Sequence, residues 1–338
     1  MNGPPESVRY GKPIDYSRLK PRVMADVRAT IERIRALAEH FRPRAVRELD
    51  ACPLCDAKDI HPYVHVFGYP YYRCERCSLV FLQRRLSPEA LIAYWREGST
   101  SDTYADPETY RYRREQVARP KVDFVLGQWS GARGRWLDLG AGIGDTVSLV
   151  SEHGWQGVGL EVSATCRAFA RDVLGVDLLD QPIQEHARVV EPGHYDVVSA
   201  IGYLEHVDRP AEEIGLAARV LRAGGLFLMF NPNWQSLSMA LAQKNPDNLY
   251  RFIHPPASTH VYSEATHEFI CREFGFRMRA QWFFGMDAFE LLNQLVSLGR
   301  LEPDSAEYRA LHSSISEIQL AIDRMRTCDY IHVLLEKR

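Results

Sequence analysis

The sequence predicts an α/β protein built on a mostly parallel β-sheet with helices on both faces. Strand-like and helix-like segments alternate through residues 135–284, and this alternation is typical of parallel sheets whose connections are helices. The first of these strands also runs directly into a glycine-rich turn, Gly140-Ala141-Gly142-Ile143-Gly144. In such sheets ligands bind at the carboxyl ends of the strands. The turn therefore marks the expected ligand-binding edge.

The hydrophobic period and the chain breakers define the individual elements. We predict strands over 135–140, 156–162, 176–180, 195–201, 225–231 and 276–284. Helices are predicted over 144–153, 163–174, 184–190, 210–222 and 263–274. Helical stretches around 287–299 and 305–326, expected to cap the substrate entrance or to form a dimer surface, precede a final strand over 329–335.

The glycine turn predicts a nucleoside ligand. Gly140, Gly142 and Gly144 lack Cβ atoms and can take positive φ, which brings backbone N–H groups close to a ligand. The dinucleotide pattern G-x-G-x-x-G is incomplete because Asp145 occupies its sixth position. Glu161 ends the next strand, 19 positions beyond Gly142, where an acid can accept both ribose hydroxyls. We therefore expect a ribose-bearing ligand, with a purely structural turn as the alternative.

Four cysteines indicate a structural zinc site near the start of the chain. Cys52 and Cys55 form one C-x-x-C pair, and Cys74 and Cys77 form a second pair after eighteen intervening residues. This spacing is typical of a tetrahedral four-thiolate zinc site, which leaves no position open for catalysis. The alternation between the pairs, over residues 63–72, predicts a small hairpin of a zinc ribbon. A redox dithiol is the alternative.

Length and composition limit the remaining possibilities. A chain of 338 residues with 46% hydrophobic content is long enough for about two domains with a sizeable core. The net charge of −3 selects no partner. Seven cysteines suit a reducing compartment better than a disulfide framework. No apolar run is long enough to span a membrane, and the N-terminus is unlike a signal peptide. We therefore expect a cytoplasmic protein.

The N-terminal third divides into four predicted parts. Residues 1–47 comprise an extended arm of about 20 residues and an amphipathic helix that ends before Pro43. Its arginine-bearing helix packs on its own domain or on a second subunit, with a nucleic-acid-binding face as the alternative. Residues 48–86 form the ribbon and residues 87–120 connecting helices with a possible lid. The ligand-binding domain follows over 121–338, with the helical insertion at about 287–326.

Four motifs follow one another from the glycine turn onward. They are Leu137-Asp138-Leu139-Gly140-Ala141-Gly142-Ile143-Gly144, Tyr195-Asp196-Val197-Val198-Ser199-Ala200, Tyr203-Leu204-Glu205-His206-Val207-Asp208-Arg209-Pro210 and Val220-Leu221-Arg222-Ala223-Gly224-Gly225-Leu226-Phe227-Leu228. In this order they resemble class I S-adenosylmethionine (SAM)-dependent methyltransferases from about Tyr110 to Arg338. The resemblance implies a Rossmann-like, seven-stranded, mostly parallel sheet whose last strand is antiparallel.

The ribbon carries a second resemblance. Cys77-Ser78-Leu79-Val80-Phe81-Leu82 and Ser87-Pro88-Glu89-Ala90-Leu91 resemble methyltransferases with an N-terminal zinc ribbon that act on sugars, sugar nucleotides or secondary metabolites. Sugar C-methyltransferases of this kind usually continue into a further C-terminal domain. The end at Arg338 therefore favours methylation of oxygen or nitrogen.

The resemblance assigns the cofactor contacts. It implies that the methionine part meets Asp138, Gly140, Ala141, Gly142 and Gly144, the ribose meets Glu161 and Val162, and the adenine meets Asp180, Gln181 and Ile183. Pro182 stands where the family often has an acid. Ile201 is a further predicted contact, and the polar stretch 98–104 resembles a segment that crosses the cofactor, with Tyr104 and Tyr110 as candidates. A plain linker is the alternative for this stretch.

Three residues are candidates for a general base. Glu205 and His206 follow the fourth strand. In the family this position faces the methyl end of the cofactor. A structural or cofactor-positioning role is the alternative. His260 lies in a stretch that resembles the motif after the fifth strand, although Thr259 replaces the usual glutamate. Both histidines titrate near neutral pH, as a general base requires. We prefer His260 over His206 because the stretch Leu204-Glu205-His206-Val207 is widespread in the family among enzymes with different substrates. A buried structural histidine is the alternative.

The predicted function is methyl transfer to an oxygen or nitrogen of a small molecule, by in-line displacement with a histidine base. The predicted acceptor is a sugar, a sugar nucleotide or a natural-product intermediate. The alternatives are a zinc-ribbon RNA methyltransferase, a sugar C-methyltransferase and a cofactor-binding regulator without activity. Acidic residues between the arginines of the ribbon argue against nucleic acid. A membrane is not an expected partner, and a homodimer remains an open alternative.

Overall fold

The computed structural model describes residues 5–20, 23, 26–97, 106–248, 251, 253–303 and 305–338. Its strands, numbered in chain order, are β1 Ser7–Tyr10, β2 Arg47–Glu48, β3 Ile60–Val66, β4 Tyr69–Cys74, β5 Val80–Leu82, β6 Arg84–Arg85, β7 Arg135–Leu139, β8 Gln156–Leu160, β9 Tyr195–Ile201, β10 Leu221–Pro232, β11 His260–Val261, β12 Phe276–Phe283 and β13 Tyr330–Lys337.

The α-helices are α1 Tyr16–Leu19, α2 Val27–Phe41, α3 Pro88–Glu97, α4 Pro107–Arg113, α5 Arg119–Leu126, α6 Asp145–Glu152, α7 Ala164–Leu174, α8 Ile183–Val189, α9 Pro210–Val220, α10 Leu237–Lys244, α11 Glu264–Glu273, α12 Asp287–Ser297, α13 Ala306–Ser313 and α14 Ile315–Arg324. Several begin at a side chain that accepts a backbone N–H, as Ser163 does for α7 and Ser263 for α11. Such caps satisfy N–H groups that the first turn of a helix leaves unpaired.

Seven strands form the main sheet, in the order β1-β12-β13-β10-β9-β7-β8. The pairs β7–β8, β7–β9, β9–β10 and β1–β12 are parallel, whereas β13 is antiparallel to both of its neighbours. The central strands are buried, with Val198, Phe227 and Leu228 fully inaccessible. Parallel strands covered on both faces require such apolar runs. The predicted fold class is therefore confirmed.

The two edges of the sheet differ from the prediction. Residues 176–180 do not form a strand, because only Leu179 makes an isolated bridge, to Leu160. Leu179 is 40% exposed, so a strand beyond β8 would gain little from burial. The seventh strand is instead β1, within the segment predicted to be an extended arm. Its residue Ser7 pairs with Ala280 of β12, a contact across most of the chain that no local pattern indicates.

The ribbon shares a strand with the rest of the molecule. Its sheet has the order β11-β5-β4-β3, and β3 and β4 form the predicted hairpin. The antiparallel pair β5–β11 joins Phe81 to His260, and β11 lies far along the chain, beyond the main-sheet strand β10. The ribbon predicted over 48–86 is thus completed by residues of the ligand-binding part.

The helical insertion buries several carboxyl groups. Glu290 of α12 is fully buried, its Oε1 accepts a hydrogen bond from Gln294 at 3.1 Å, and its Oε2 has no partner among the described residues. Burial raises the pKa of Glu290 to about 8, while the Gln294 hydrogen bond opposes this shift. The folded state therefore favours the protonated acid, and its stability falls as pH rises from the ordinary pKa toward 8.

We expect Glu290→Gln to stabilise the protein in a pH-dependent way. Glutamine fills the same space without ionising, so the gain should be below about 1 kcal/mol near pH 5 and rise to about 4 kcal/mol near pH 8. Denaturant unfolding at both pH values measures this change in the free energy of unfolding, with Glu302→Gln on the surface as the control. A gain of the same size at both pH values would show that ionisation of Glu290 is not the cause.

Candidate active site

The glycine turn has the backbone conformation that its sequence predicts. Gly140, Gly142 and Gly144 take φ values of 62°, 54° and 85°, the left-handed region that favours glycine. A Cβ on Gly140 would lie 2.4 Å from the ring of Tyr203, whereas a Cβ on Gly142 would meet nothing within 4 Å. One side of the turn is therefore closed by Tyr203, and the other is open at Gly142.

Glu161 lies directly beside this turn. Its Oε2 accepts the backbone N–H of Gly142 at 2.8 Å, and its Oε1 accepts the N–H of Ser163 at 2.7 Å. Burial raises the pKa of Glu161, and these backbone hydrogen bonds oppose the shift. Because a carboxylate has about four acceptor sites, it retains capacity for further donors. The carboxylate is thus fixed next to the open side of the turn.

Asp138 points into the interior at the end of β7. The hydroxyl of Ser199 donates to Asp138 Oδ1 at 2.5 Å, and the indole N–H of Trp136 donates to Ser199 Oγ at 2.8 Å. Burial raises the pKa of Asp138 to about 7, while hydrogen bonds from Ser199 and Thr146 oppose it. This network ties β7 to β9 beneath the turn. Its partners Ser199 and Thr146 are functional candidates that the sequence analysis did not single out.

The residues predicted to meet the adenine follow β8. Asp180 accepts a hydrogen bond from Arg167 at 2.8 Å, and Gln181 contacts His186 Nδ1 at 2.9 Å, whereas Ile183 is buried. Val162 and Ile201, at the ends of β8 and β9, are half-buried. Ala141 donates its N–H to the carbonyl of Leu160 at 2.9 Å. Tyr104 lies outside the described residues.

Tyr110 of α4 packs against the glycine turn. Its hydroxyl donates to Asp145 at 3.0 Å, and its ring meets Phe169 edge-on at 5.2 Å between centroids. Ile143 and Cys166 complete this small cluster. Helix α4 thus covers the turn from the side of α6.

Glu205 lies beyond the end of β9 with an unsatisfied oxygen. Only 2% of its surface is exposed, and its Oε2 has no hydrogen-bond partner among the described residues. Burial raises the pKa of Glu205 to about 8, while Lys121 and Asn231 oppose it. The side-chain nitrogen of Asn231, at the end of β10, is also buried without a partner there. The two groups thus lie close enough at the carboxyl edge of the sheet for Asn231 to act on Glu205, but neither Glu205 Oε2 nor Asn231 Nδ2 completes a hydrogen bond among the described residues.

His206 has one defined ring nitrogen. Its Nδ1 donates to the carbonyl of Ala257 at 3.0 Å, so Nε2 carries the lone pair. The ring also packs on Trp95 of α3, with 4.6 Å between centroids. Burial lowers the pKa of His206 to about 4. The imidazole is therefore neutral at physiological pH and weakly basic.

His260, the base preferred from the sequence, lies on the ribbon side of the same loop. It is fully buried in β11, its Nδ1 contacts the carbonyl of Leu204 at 3.3 Å, and its Nε2 has no partner among the described residues. Burial lowers the pKa of His260 well below the ordinary value. The imidazole of His260 is therefore neutral at physiological pH and, like that of His206, only weakly basic.

The four cysteines converge on one point. Their sulfur atoms all lie within 4.8 Å of one another, with Cys52 and Cys77 3.4 Å apart and Cys55 and Cys74 3.5 Å apart. Zn–S bonds of about 2.3 Å in a tetrahedron place sulfurs about 3.8 Å apart. The two pairs also share a backbone pattern, since Asp56 N–H donates to Cys52 O and Ser78 N–H to Cys74 O. The set fits one tetrahedral metal ion.

The ribbon holds the loop that carries Glu205. Thr259, just before β11, donates its N–H to the carbonyl of Glu205 at 2.7 Å and accepts the N–H of Leu82 at 2.8 Å. At the other end of this loop, Arg47 contacts Asp208 at 2.6 Å and the buried Arg85 donates to the Asp208 carbonyl at 2.9 Å. Hydrogen bonds and an ion pair therefore connect the ribbon to both ends of the loop that carries Glu205.

A family model described as a methyltransferase domain matches residues 110–281. The chain belongs to this family. The chain is similar to the ubiquinone biosynthesis O-methyltransferase of Sodalis glossinidius, with 35% identity over 129 residues that cover 36% of this chain and 51% of the relative. The corresponding enzyme of Bordetella pertussis is 30% identical over 42% of this chain and 58% of the relative. The chain thus spans about half the length of these curated relatives.

A solved SAM-dependent methyltransferase from Archaeoglobus fulgidus is also similar to this chain. It has 21% identity and a TM-score of 0.46, and the alignment covers 68% of this chain and 97% of that chain. Within the described residues, none of the helices combines the length and hydrophobicity needed to cross a membrane.

Proposed function

We propose that this protein is a SAM-dependent methyltransferase that methylates an oxygen atom of a small molecule. The observation that carries the proposal is the glycine turn, open at Gly142 and flanked by the carboxylate of Glu161. The names of the curated relatives, which describe O-methyltransferases of ubiquinone biosynthesis, support oxygen as the accepting atom. A sugar, a sugar nucleotide or a natural-product intermediate remains our proposed acceptor class.

The residues present fit the cofactor. We assign the ribose hydroxyls to Glu161, whose carboxylate is held in place by two backbone N–H groups. The methionine part would lie against the backbone of Gly140 and Gly142, and the adenine beside Gln181 and Ile183. When bound, SAM supplies an electrophilic methyl group on a positively charged sulfur. The protein contributes mainly by holding the acceptor in line with that group.

We propose Glu205 as the general base. It combines a buried oxygen without a partner with a pKa of about 8, and these properties suit proton removal from a hydroxyl near neutral pH. His206 is then a positioning residue, because its Nδ1 is bonded to Ala257 and its pKa is about 4. His260 supports the loop from the ribbon side.

We propose that the four cysteines hold a structural zinc ion. All four positions of a tetrahedral shell would be filled by thiolates, so none would remain for substrate. The ion would lock the two cysteine turns together and thereby stabilise β5, the strand that pairs with β11.

Calorimetric titration with S-adenosylhomocysteine tests the cofactor assignment. We expect the unmodified protein to bind this product, and Glu161→Gln to weaken binding by about tenfold to a hundredfold, since it removes charged hydrogen bonds to the ribose. Glu307→Gln, on the exposed face of α13, serves as the control. Absence of binding by folded, unmodified protein would refute the proposed function.

A further inference from the structure

A row of aromatic rings crosses the main sheet near its carboxyl edge. Phe230 of β10 lies opposite His332 of β13, and His332 lies opposite Trp282 of β12. The ring centroids are 4.3 Å apart in the first pair and 4.5 Å in the second. Phe284 continues the row, 5.5 Å from Trp282. Phe230 also pairs with Ile201 of β9, so this row begins one strand away from the predicted cofactor site.

Cationic side chains lie on top of these rings. The amine of Lys121 is 3.8 Å from the ring centroid of Phe230, and that of Lys12 is 5.2 Å from the centroid of Phe284. The guanidinium of Arg9 is 4.2 Å from Trp282. Lys121 comes from α5, whereas Arg9 and Lys12 come from the N-terminal segment. Two elements that are distant in sequence thus place positive charge on the same aromatic surface.

The positive charge in this cluster is poorly compensated. Lys121 is only 6% exposed, and Lys12 Nζ is buried with no hydrogen-bond partner among the described residues. Burial lowers the pKa of Lys12 to about 7, and its charged neighbours Arg9 and Arg113 lower it further. Burial likewise lowers the pKa of Lys121 to about 7, with Lys12 and Arg113 adding to the effect and the acids Glu205 and Asp138 opposing it.

These surroundings suit an anionic ligand. Buried charges are ordinarily paired, yet the groups that act most strongly on Lys12 after burial are themselves cations. The faces of Phe230 and Phe284 attract a cation only weakly compared with an ionised partner. An anion near both amines would raise the pKa of Lys12 and Lys121 and hold them protonated. The same ligand would lie within electrostatic range of Glu205, on which Lys121 acts.

We propose that the methyl acceptor carries a carboxylate or phosphate group, which binds between Lys12 and Lys121 over the Phe230–Phe284 row. This inference rests on the proposed function, because it places the anion of the acceptor beside the candidate base. Lys121 would bind the anionic group on the side nearer to Glu205, and Lys12 would bind it on the side nearer to β12. Recognition of the anion would then orient the acceptor hydroxyl toward the open turn.

Paired probes that differ only in their anionic group test the inference. Benzoate is compared with benzamide for the carboxylate, and uridine diphosphate with uridine for the phosphate. Each is titrated into protein saturated with S-adenosylhomocysteine and followed by calorimetry or ligand-observed NMR. We expect one anion of the two pairs to bind about tenfold more tightly than its neutral partner, or better. The pair that shows this preference identifies the anion.

Matched variants locate the preference. Lys12→Met and Lys121→Met keep the length of the side chain and remove its charge, so each should abolish most of the preference. Neither variant should impair folding, since both remove a buried amine. Lys244→Met, on the exposed end of α10, should change nothing. Equal binding of the anionic and neutral members, no binding of any probe, or a preference that survives both variants would overturn the inference.

The binding of S-adenosylhomocysteine separates this inference from the proposed function. Protein that binds the cofactor product but shows no anion preference contradicts the anionic acceptor alone. Protein that fails to bind the cofactor product contradicts the methyltransferase activity itself. Retained cofactor binding in Lys12→Met and Lys121→Met would also exclude a general disturbance of the site.

Discussion

Glu205→Gln should lower kcat by about a hundredfold to ten-thousandfold, the usual contribution of a positioned general base. Glutamine retains the size of the side chain but cannot accept the proton of an acceptor hydroxyl. The affinity for S-adenosylhomocysteine should change little, because Glu161 and the glycine turn are unaffected. Steady-state methyl transfer measures kcat once an acceptor has been found, and calorimetry measures cofactor affinity in the same preparation.

The pH dependence gives an independent check on this role. Burial raises the pKa of Glu205 to about 8, so the carboxylate that accepts a proton becomes populated as pH rises through that value. The kcat of the unmodified protein should therefore increase up to about pH 8 and then level off, whereas Glu205→Gln should lack this rise. His206→Asn is the matched comparison within the same loop. Loss of the pH-dependent rise in His206→Asn, with the rise retained in Glu205→Gln, would assign the base to His206.

Cys77→Ser should cause the second large effect, loss of both the metal ion and the ribbon structure. Structural zinc contributes on the order of 10 kcal/mol to the folding of small zinc domains, so the ribbon should open without it. The loop of Glu205 would then lose the support of Thr259 and of Arg85. We expect kcat to fall by about tenfold or more while cofactor binding is largely retained. Metal analysis measures the loss of zinc, and hydrogen exchange of β5 measures the opening of the ribbon. The kcat of methyl transfer and the affinity for S-adenosylhomocysteine then show the effect on the site.

Controls separate the metal from the cysteine itself. Cys271→Ser changes a buried cysteine of α11 outside the metal site and should keep one zinc ion per chain. Should Cys77→Ser fail to fold, chelation of the unmodified protein followed by zinc addition provides the same comparison. Full activity in a chain shown to lack metal would contradict the proposed link between ribbon and loop.

The parts of the site that the sequence predicts are those encoded by local spacing. The glycine turn adopts positive φ at all three glycines, and Glu161 lies beside Gly142 because adjacent parallel strands end at the same edge. The four cysteines converge because each pair forms its own turn. In each case a short motif, or two motifs on neighbouring strands, suffices to specify the geometry.

The parts that the sequence does not predict depend on contacts between distant segments. The position of His260 follows from the pairing of β11 with β5, and nothing in its own neighbourhood indicates that pairing. In the sequence Lys121 resembles an ordinary helical lysine, and only the tertiary structure shows that its amine lies over the ring of Phe230 in β10. Residues 176–180 have strand-like composition, yet little burial is available beyond β8. Tertiary packing decides each of these cases, and local propensity is only a weak guide to it.

The pairing of β1 with β12 has a consequence for the order in which the protein is made. Ser7 leaves the ribosome well before its partner Ala280, because the two residues lie far apart along the chain. Until then β1 has no strand with which to pair, and β12 gains its second neighbour only when β13 has been synthesised. Such long-range pairing slows folding and leaves strand edges exposed in the meantime. The main sheet can therefore be completed only after β13 has been synthesised.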